Sequence, residues 1–169
     1  MSATFVAELV NEDIAVMRIC FDQHETGLAF DVFNLTFGPV NSSGAINILA
    51  KIRHEHLNRL FSTILLQIVH FLQRHPGATV GMDGSTEGRA YLYHRIFLTN
   101  ESYINRYCEA LGMDWYVRWL RSGEFARHGD GYYHMRPIVE NIPSERKATD
   151  MYRYYLVRLK DHIHSPFIK

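Results

Sequence analysis

The residues best suited to chemistry lie together in residues 84–93, GSTEGRAYLY. A Gly-Ser-Thr turn that leads into a helix leaves backbone N–H groups unpaired at the helix N-terminus, and a Ser or Thr side chain can cap one of them. Arg89 follows about one turn later, so the same helix end could hold a phosphate or a carboxylate. The alternative is structural, with a hydroxyl as the cap and Arg89 packed along Tyr93 or paired with an acid. We predict an anion- or ligand-binding site made of Gly84, Ser85, Thr86, Arg89 and Tyr93.

Arg89 and His94 form an R-x4-H motif, which is similar to the signature of helical HEPN-type ribonucleases. In such enzymes the Arg would stabilise a phosphoryl transition state and the His would transfer a proton. Residues i and i+5 point about 140° apart on a helix, so this pair does not share a face within one chain. A ribonuclease or phosphotransfer enzyme that uses Arg89 and the His94 of a second subunit is therefore the alternative to a non-enzymatic protein.

Other patterns typical of enzymes and metal sites are missing from the sequence. It contains no Walker A spacing, nucleophile elbow, Gly-rich dinucleotide loop or paired-acid motif. The closest histidine pairs are His54-x-His56 and His162-x-His164, and neither belongs to the two-plus-two pattern of a structural zinc site. We expect no metal, no cofactor and no other catalytic residues.

Two long helices must position this segment. Apolar residues recur at steps of three and four between His54 and His75, and Pro76 ends that pattern, which predicts a first helix. A second helix is predicted from about Thr86, with a kink or restart near Asn100. Its spacing continues to a stop at Gly112, and a short segment follows over residues 115–120.

Strands account for most of the remaining chain. β-branched, aromatic and alternating apolar residues predict strands over residues 4–10, 14–21, 28–37 and 78–82. Two more are predicted over residues 132–138 and in the C-terminal MYRYYLVRLK, where a terminal helix is the competitor. Residues 45–52 are either another short strand or the approach to the first helix. The prediction is a single α+β domain over residues 1–169: a mostly antiparallel sheet of five to seven strands, with two long helices packed on one face.

Composition narrows the class of protein. The 169 residues are 47% hydrophobic and 21% charged, which is ordinary for a folded domain. No apolar run approaches the roughly 18 residues of a membrane span. The N-terminus has no signal-peptide pattern, and the two cysteines are isolated. We expect a cytoplasmic protein that makes no membrane contact.

Charge is unevenly distributed although the formal net charge is zero. Residues 1–50 hold one cation and six acids, for a net charge of −5, and the remainder carries +5. The basic C-terminal part has Trp and Tyr between its cations, which suits single-stranded nucleic acid or a protein interface equally. Its basic residues are Arg118, Arg121, Arg127, Arg136, Arg146, Lys147, Arg153, Arg158 and Lys160.

Three short motifs carry a family resemblance. FNLTFG at residues 33–38, RHPGA at 74–78, and GST followed by R and LY resemble a family of small bacterial domains of unknown function. Its members, known mainly from Bacteroidetes, have the order NL-FG … P … GST--R--LY. The resemblance covers residues 30–97, and the tail YRYYLVRLK is similar to the family's closing strand. It implies the fold and a bacterial origin but no activity, and His94 departs from the residue expected there.

These patterns together favour a non-enzymatic binding protein of the bacterial cytoplasm. Its partner would be another protein or a second copy of the chain, with nucleic acid as the other class. Small proteins of such families often lie in toxin–antitoxin or phage-defence operons, which suggests an accessory role in such a system.

Overall fold

The computed structural model describes residues 1–24, 31–48, 50, 53–84, 86–117, 120–124, 129, 135–142, 146–147 and 150–160. They form an α+β fold in which a seven-stranded, mostly antiparallel sheet packs one face against a layer of three helices. The predicted fold class is confirmed.

The order of elements follows the predicted β-β-β-α-β-α pattern closely. The strands are β1 (Ser2–Glu8), β2 (Ile14–His24), β3 (Val32–Pro39), β4 (Thr79–Asp83), β5 (Cys108–Val117), β6 (Met135–Asn141) and β7 (Tyr154–Leu159). The helices are α1 (Leu57–Arg74), α2 (Glu87–Thr99) and α3 (Glu101–Tyr107). In the sheet the strand order is β1-β2-β3-β4-β7-β5-β6, and only β3 and β4 are parallel neighbours.

Helix α1 supplies the centre of the core because its apolar residues form one broad stripe. The ring of Phe71 stacks on Phe21 of β2, with centroids 4.3 Å apart. The crossover through α1 makes β3 and β4 parallel, since both strands then run in the same direction. The buried residues of the helix are Leu60, Phe61, Ile64, Leu65, Ile68, Phe71 and Leu72.

The segment after α3 differs from the prediction. Helical spacing was expected to continue to Gly112 and resume over residues 115–120, but Cys108 already begins β5. The strand pairs with β7 along its first half and with β6 along its second half. Tertiary pairing therefore overrides a local pattern that fits a helix. In residues 45–52, Ile46 makes an isolated bridge to Val40, and the described residues of that range form no strand.

Two glycines in the sheet make room for tyrosine rings. A Cβ on Gly112 would overlap the ring of Tyr152, and one on Gly81 would overlap the ring of Tyr154. Tyr152 is 1% exposed, and the guanidinium carbon of Arg146 lies 3.6 Å from its ring centroid. Gly112 therefore has a packing role in the sheet and does not end a helix.

We predict that Gly112→Ala lowers the free energy of unfolding by about 1–3 kcal/mol, because the buried Tyr152 ring must move. Urea denaturation measures the change. Gly88→Ala is the matched control: a Cβ there meets nothing within 4 Å, and a helical Gly→Ala change is stabilising by roughly 0.5–1 kcal/mol. Equal effects of the two substitutions would contradict the packing role of Gly112.

Candidate functional site

A cleft opens where the parallel strands β3 and β4 separate. Their ladder ends at the pair Asn34–Gly81, although β3 continues to Pro39. Beyond this point the cleft has a volume of about 480 Å³, within the range of roughly 300–1,000 Å³ typical of ligand pockets. The carboxyl ends of adjacent parallel strands are a common ligand position in sheets with helical crossovers.

Residues of two of the sequence motifs meet in this cleft. Residues 34–38 of the FNLTFG segment form one wall, and Arg89, Leu92 and Tyr93 of α2 form another. Leu57, Leu60 and Phe61 at the start of α1 add an apolar side. Segments far apart in the sequence thus combine one charged wall and one apolar wall.

Both ends of the β3 edge that borders the cleft are occupied. At the N-terminal end of this edge, β4 pairs with β3 as far as Asn34. At the other end the backbone N–H of Asn47 donates to the carbonyl oxygen of Pro39 at 2.8 Å. The cleft therefore adjoins only a short window of the strand edge, and an extended chain cannot run through it.

Arg89 spans the cleft. Its Nη2 donates to the carbonyl oxygen of Ile48 at 3.1 Å, and its Nη1 lies 3.8 Å from the Asp83 carboxylate. The second distance exceeds the 2.7–2.9 Å of a direct charge-assisted hydrogen bond. A guanidinium has five N–H donors, so these contacts leave Arg89 with capacity for an anionic group.

Among the polar side chains that line the cleft, His54 has a buried ring nitrogen without a hydrogen-bond partner within the part of the chain that the structure describes. Another, Tyr93, is 6% exposed. Burial raises the pKa of Tyr93 to about 12, against an opposing effect of Arg89, so the hydroxyl remains a donor at neutral pH. His54 has a buried Nδ1 with no partner, and burial lowers its pKa. Buried polar groups are usually satisfied, so the unpartnered Nδ1 of His54 points to a missing ligand.

The structure places the predicted anion-site residues in different roles. Arg89 and Tyr93 line the cleft, whereas the N–H of Gly84 donates to the carbonyl oxygen of Arg153. The Thr86 hydroxyl accepts from the Arg89 N–H at 3.4 Å, so it caps α2 as expected. Ser85 lies outside the described residues. With Glu87 in its first turn and Asp83 just before it, the helix end carries acids where an anion was expected.

His94 lies apart from the cleft. It is 3% exposed, and neither ring nitrogen has a hydrogen-bond partner among the residues described here. Burial lowers its pKa, and the positive charge of Arg146 lowers it further. Arg89 and His94 thus have different surroundings within one chain, and an enzymatic pair would need the His94 of another subunit.

Several of the basic C-terminal side chains are already engaged. Arg146 lies 2.5 Å from Asp114 and 3.0 Å from Glu140, and Arg158 lies 2.6 Å from Glu109. Their charge is therefore compensated locally. Arg118 and Arg127 lie outside the described residues.

Metal and membrane features can be stated only for the described part of the chain. There, no group of three or more His, Cys, Asp or Glu side chains is arranged to hold a metal ion. None of the described helices combines the length and the apolar character needed to cross a bilayer.

Fold and site together define an α+β domain with a ligand-sized cleft at the parallel pair of β3 and β4. The chain belongs to the family described as a family of unknown function (DUF6934), whose model matches residues 3–130. The resemblance stated from the motifs is thus confirmed as membership of an uncharacterised domain family. No curated protein and no solved structure matches the chain.

We predict that His94 makes the protein less stable in acid. The pKa of His94 is lowered in the folded state, so the unfolded chain binds a proton more readily. Stability is therefore lost as the pH falls through the unfolded value of about 6.5. The loss levels off once the folded protein is also protonated. Urea denaturation at several pH values between 7.5 and about 5 measures this loss of stability.

His94→Leu should flatten this pH dependence, while His54 keeps part of it because its pKa is lowered in the same direction. His70→Leu changes an exposed residue of α1 and serves as the control. An unchanged pH dependence in His94→Leu would contradict the prediction.

Proposed function

We propose that the protein is a non-enzymatic binding protein and that its cleft receives the C-terminal end of a partner protein. The observation that carries the proposal is that Arg89 and Tyr93 line the same cleft, together with the unpartnered Nδ1 of His54. Two donors next to each other suit the two oxygens of a carboxylate. A ligand of this kind would accept from the Tyr93 hydroxyl and use the spare donors of Arg89.

The apolar wall supports a chain end over a small inorganic anion. Leu57, Leu60 and Phe61 offer a surface for a terminal apolar side chain. The window of β3 edge between Asn34 and Pro39 suits a short extended segment, as in peptide recognition by strand addition. Because β4 and Asn47 occupy the two ends of that edge, a chain terminus fits where a continuous strand does not.

Nucleic acid is the less favoured partner. Affinity for nucleic acid depends on several free cations that contact phosphates. In the described residues Arg146 and Arg158 pair with carboxylates, and Arg89 is the one Lys or Arg that lines the cleft. Tyr152, one of the Tyr residues that lie between these cations in the sequence, is 1% exposed and belongs to the core.

An enzymatic role has less support for a geometric reason. A general acid or base must reach the reacting group within hydrogen-bond distance. His94 is buried and does not line the cleft, so within one chain it cannot reach a group bound beside Arg89. We therefore favour binding over ribonuclease or phosphotransfer activity.

The family resemblance supports a proposed setting for this binding. We propose a bacterial cytoplasmic protein that acts as an accessory of a toxin–antitoxin or phage-defence system. The genes next to those of family members test this setting, because a recurrent toxin or nuclease gene would supply a candidate partner.

We predict that selected peptides with a free C-terminal carboxylate and an apolar last residue bind the protein. Amidation of the peptide should weaken binding about 10- to 100-fold, which corresponds to the roughly 1.5–3 kcal/mol of a charge-assisted hydrogen bond. Arg89→Ala should cause a similar loss, and Tyr93→Phe a loss of about 3- to 10-fold, since a neutral hydrogen bond contributes less. Titration calorimetry with paired free-acid and amidated peptides measures these changes.

Arg95→Ala is the matched control, because Arg95 is an exposed residue of the same helix and does not line the cleft. Its peptide affinity should equal that of the parent protein. Equal binding of acid and amidated peptides would contradict the proposal. So would single-stranded RNA that binds more tightly than every peptide and loses affinity in Arg89→Ala.

A further inference from the structure

Strand β1 lies at the edge of the sheet and presents backbone groups to solvent. The N–H of Phe21 donates to the carbonyl oxygen of Met1 at 2.9 Å, so the odd-numbered residues of β1 direct their backbone groups toward β2. Ser2, Thr4 and Val6 therefore direct theirs away from the sheet. Their side chains lie on the face without helices, and Val6 is 61% exposed.

The open part of this edge has a defined end. The N–H of Glu55 donates to the carbonyl oxygen of Glu8 at 3.0 Å, and the N–H of Val10 donates to that of Arg53 at 3.1 Å. The segment before α1 thus covers the edge from Glu8 onward. Within the part of the chain that the structure describes, what remains open is the short stretch of residues 2–6, with the sequence SATFV.

Residues 2–6 lack the charges, Pro and bulges that commonly protect an edge strand. Proteins place charged residues, Pro or a bulge on such edges because an unpaired strand attracts other strands. Residues 2–6 contain no charge and no Pro, and their pairing with β2 is regular. The opposite edge, β6, contains Pro137 and an exposed Glu140. The two edges of the sheet therefore differ in charge and in Pro content.

We propose that β1 pairs antiparallel with β1 of a second copy of this chain, about a two-fold axis at Thr4. In this register Thr4 faces Thr4 of the second copy, and Ser2 faces Val6. It is the one antiparallel register in which all three outward-facing residues of both copies are paired. The inference is independent of the cleft and of the function proposed for it.

A second copy fits this edge better than an unrelated strand for two reasons. The open stretch is uncharged, so two copies bring no like charges together. The carboxylate of Glu8, just beyond this stretch, lies 3.6 Å from His56 and 3.7 Å from Arg59. In the proposed register Ser2, the first residue of the opposite β1, faces Val6, whereas the segment before α1 bonds Glu8 and Val10, so it does not obstruct pairing over residues 2–6. The contact is isologous and closes after two copies, as most homo-oligomers do.

The affinity of the two copies for each other should be moderate. Pairing over so short a stretch buries less than the roughly 1,200–2,000 Å² of a standard interface, although the half-buried Phe5 and Ala3 gain cover on the helix side. A dissociation constant on the order of micromolar is expected.

Light scattering after size exclusion, over protein concentrations from about 1 to 100 µM, tests the proposal. The parent protein should approach twice the chain mass of 19.7 kDa as the concentration rises. Thr4→Pro should remain at the monomer mass, because it removes an N–H that only the second copy uses. Its melting temperature should stay near that of the parent at low concentration. Thr4→Val keeps the N–H and should still dimerise.

Two further variants keep the test decisive if Thr4→Pro does not fold. Val6→Lys places a charge beside the edge and should give a folded monomer. Thr4→Cys should form a disulfide-linked dimer, since paired Cα atoms about 5.5 Å apart suit a disulfide. The parent protein, which contains Cys20 and Cys108, is the control and should not crosslink. A parent protein that stays monomeric to 100 µM would overturn the proposal, as would folded Thr4→Pro and Val6→Lys proteins that still dimerise.

Discussion

The insertion of β7 between β4 and β5 is the constraint on which the rest of the structure depends. This last strand pairs with β4 on one side and β5 on the other. Tyr155, Leu156 and Val157 are each at most 2% exposed, so β7 buries side chains on both faces of the sheet. Burial of one large apolar side chain contributes about 1.5–3 kcal/mol. Without β7, the inner strands β4 and β5 would become open edges and the core would lose the buried Tyr155 and Val157.

The same strand accounts for the cleft. Met82 and Asp83 pair with β7 after the ladder between β3 and β4 has ended. The N–H of Gly84 then donates to the carbonyl oxygen of Arg153, just before β7, and the Tyr155 hydroxyl donates to the carbonyl oxygen of Ala90 at 2.8 Å. These contacts hold the start of α2 against β7 and away from β3. The charged wall of the cleft is therefore positioned by a part of the chain some seventy residues later.

One short segment connects the cleft with the open edge of β1. His54 bridges to Leu9 and lines the cleft, and its neighbours Arg53 and Glu55 cover the edge beyond Glu8. A change in this segment would therefore affect both surfaces. The two surfaces themselves lie on different strands, with β2 between them, so a ligand in the cleft and a second copy at the edge do not compete for the same residues.

Local patterns in the sequence were sufficient for the fold class and for the main elements. Helix α1 follows from three- and four-residue steps and the stop at Pro76, and the start of α2 follows from the capping hydroxyl of Thr86. These signals are readable because capping and periodicity depend on residues only a few positions apart. The same signals predicted Arg89 and Tyr93 as site residues, but they did not predict the cleft that the two residues line.

Tertiary structure alone decided the features that depend on distant residues. The spacing of Tyr103, Tyr107 and Leu111 fits a helix, yet pairing with β7 makes Leu111 part of a strand. The contribution of His54 to the cleft and the burial of His94 gave no local signal. Periodicity indicates which side of an element is buried, whereas strand order, register and clefts depend on which elements become neighbours. That choice is made by contacts across the whole chain.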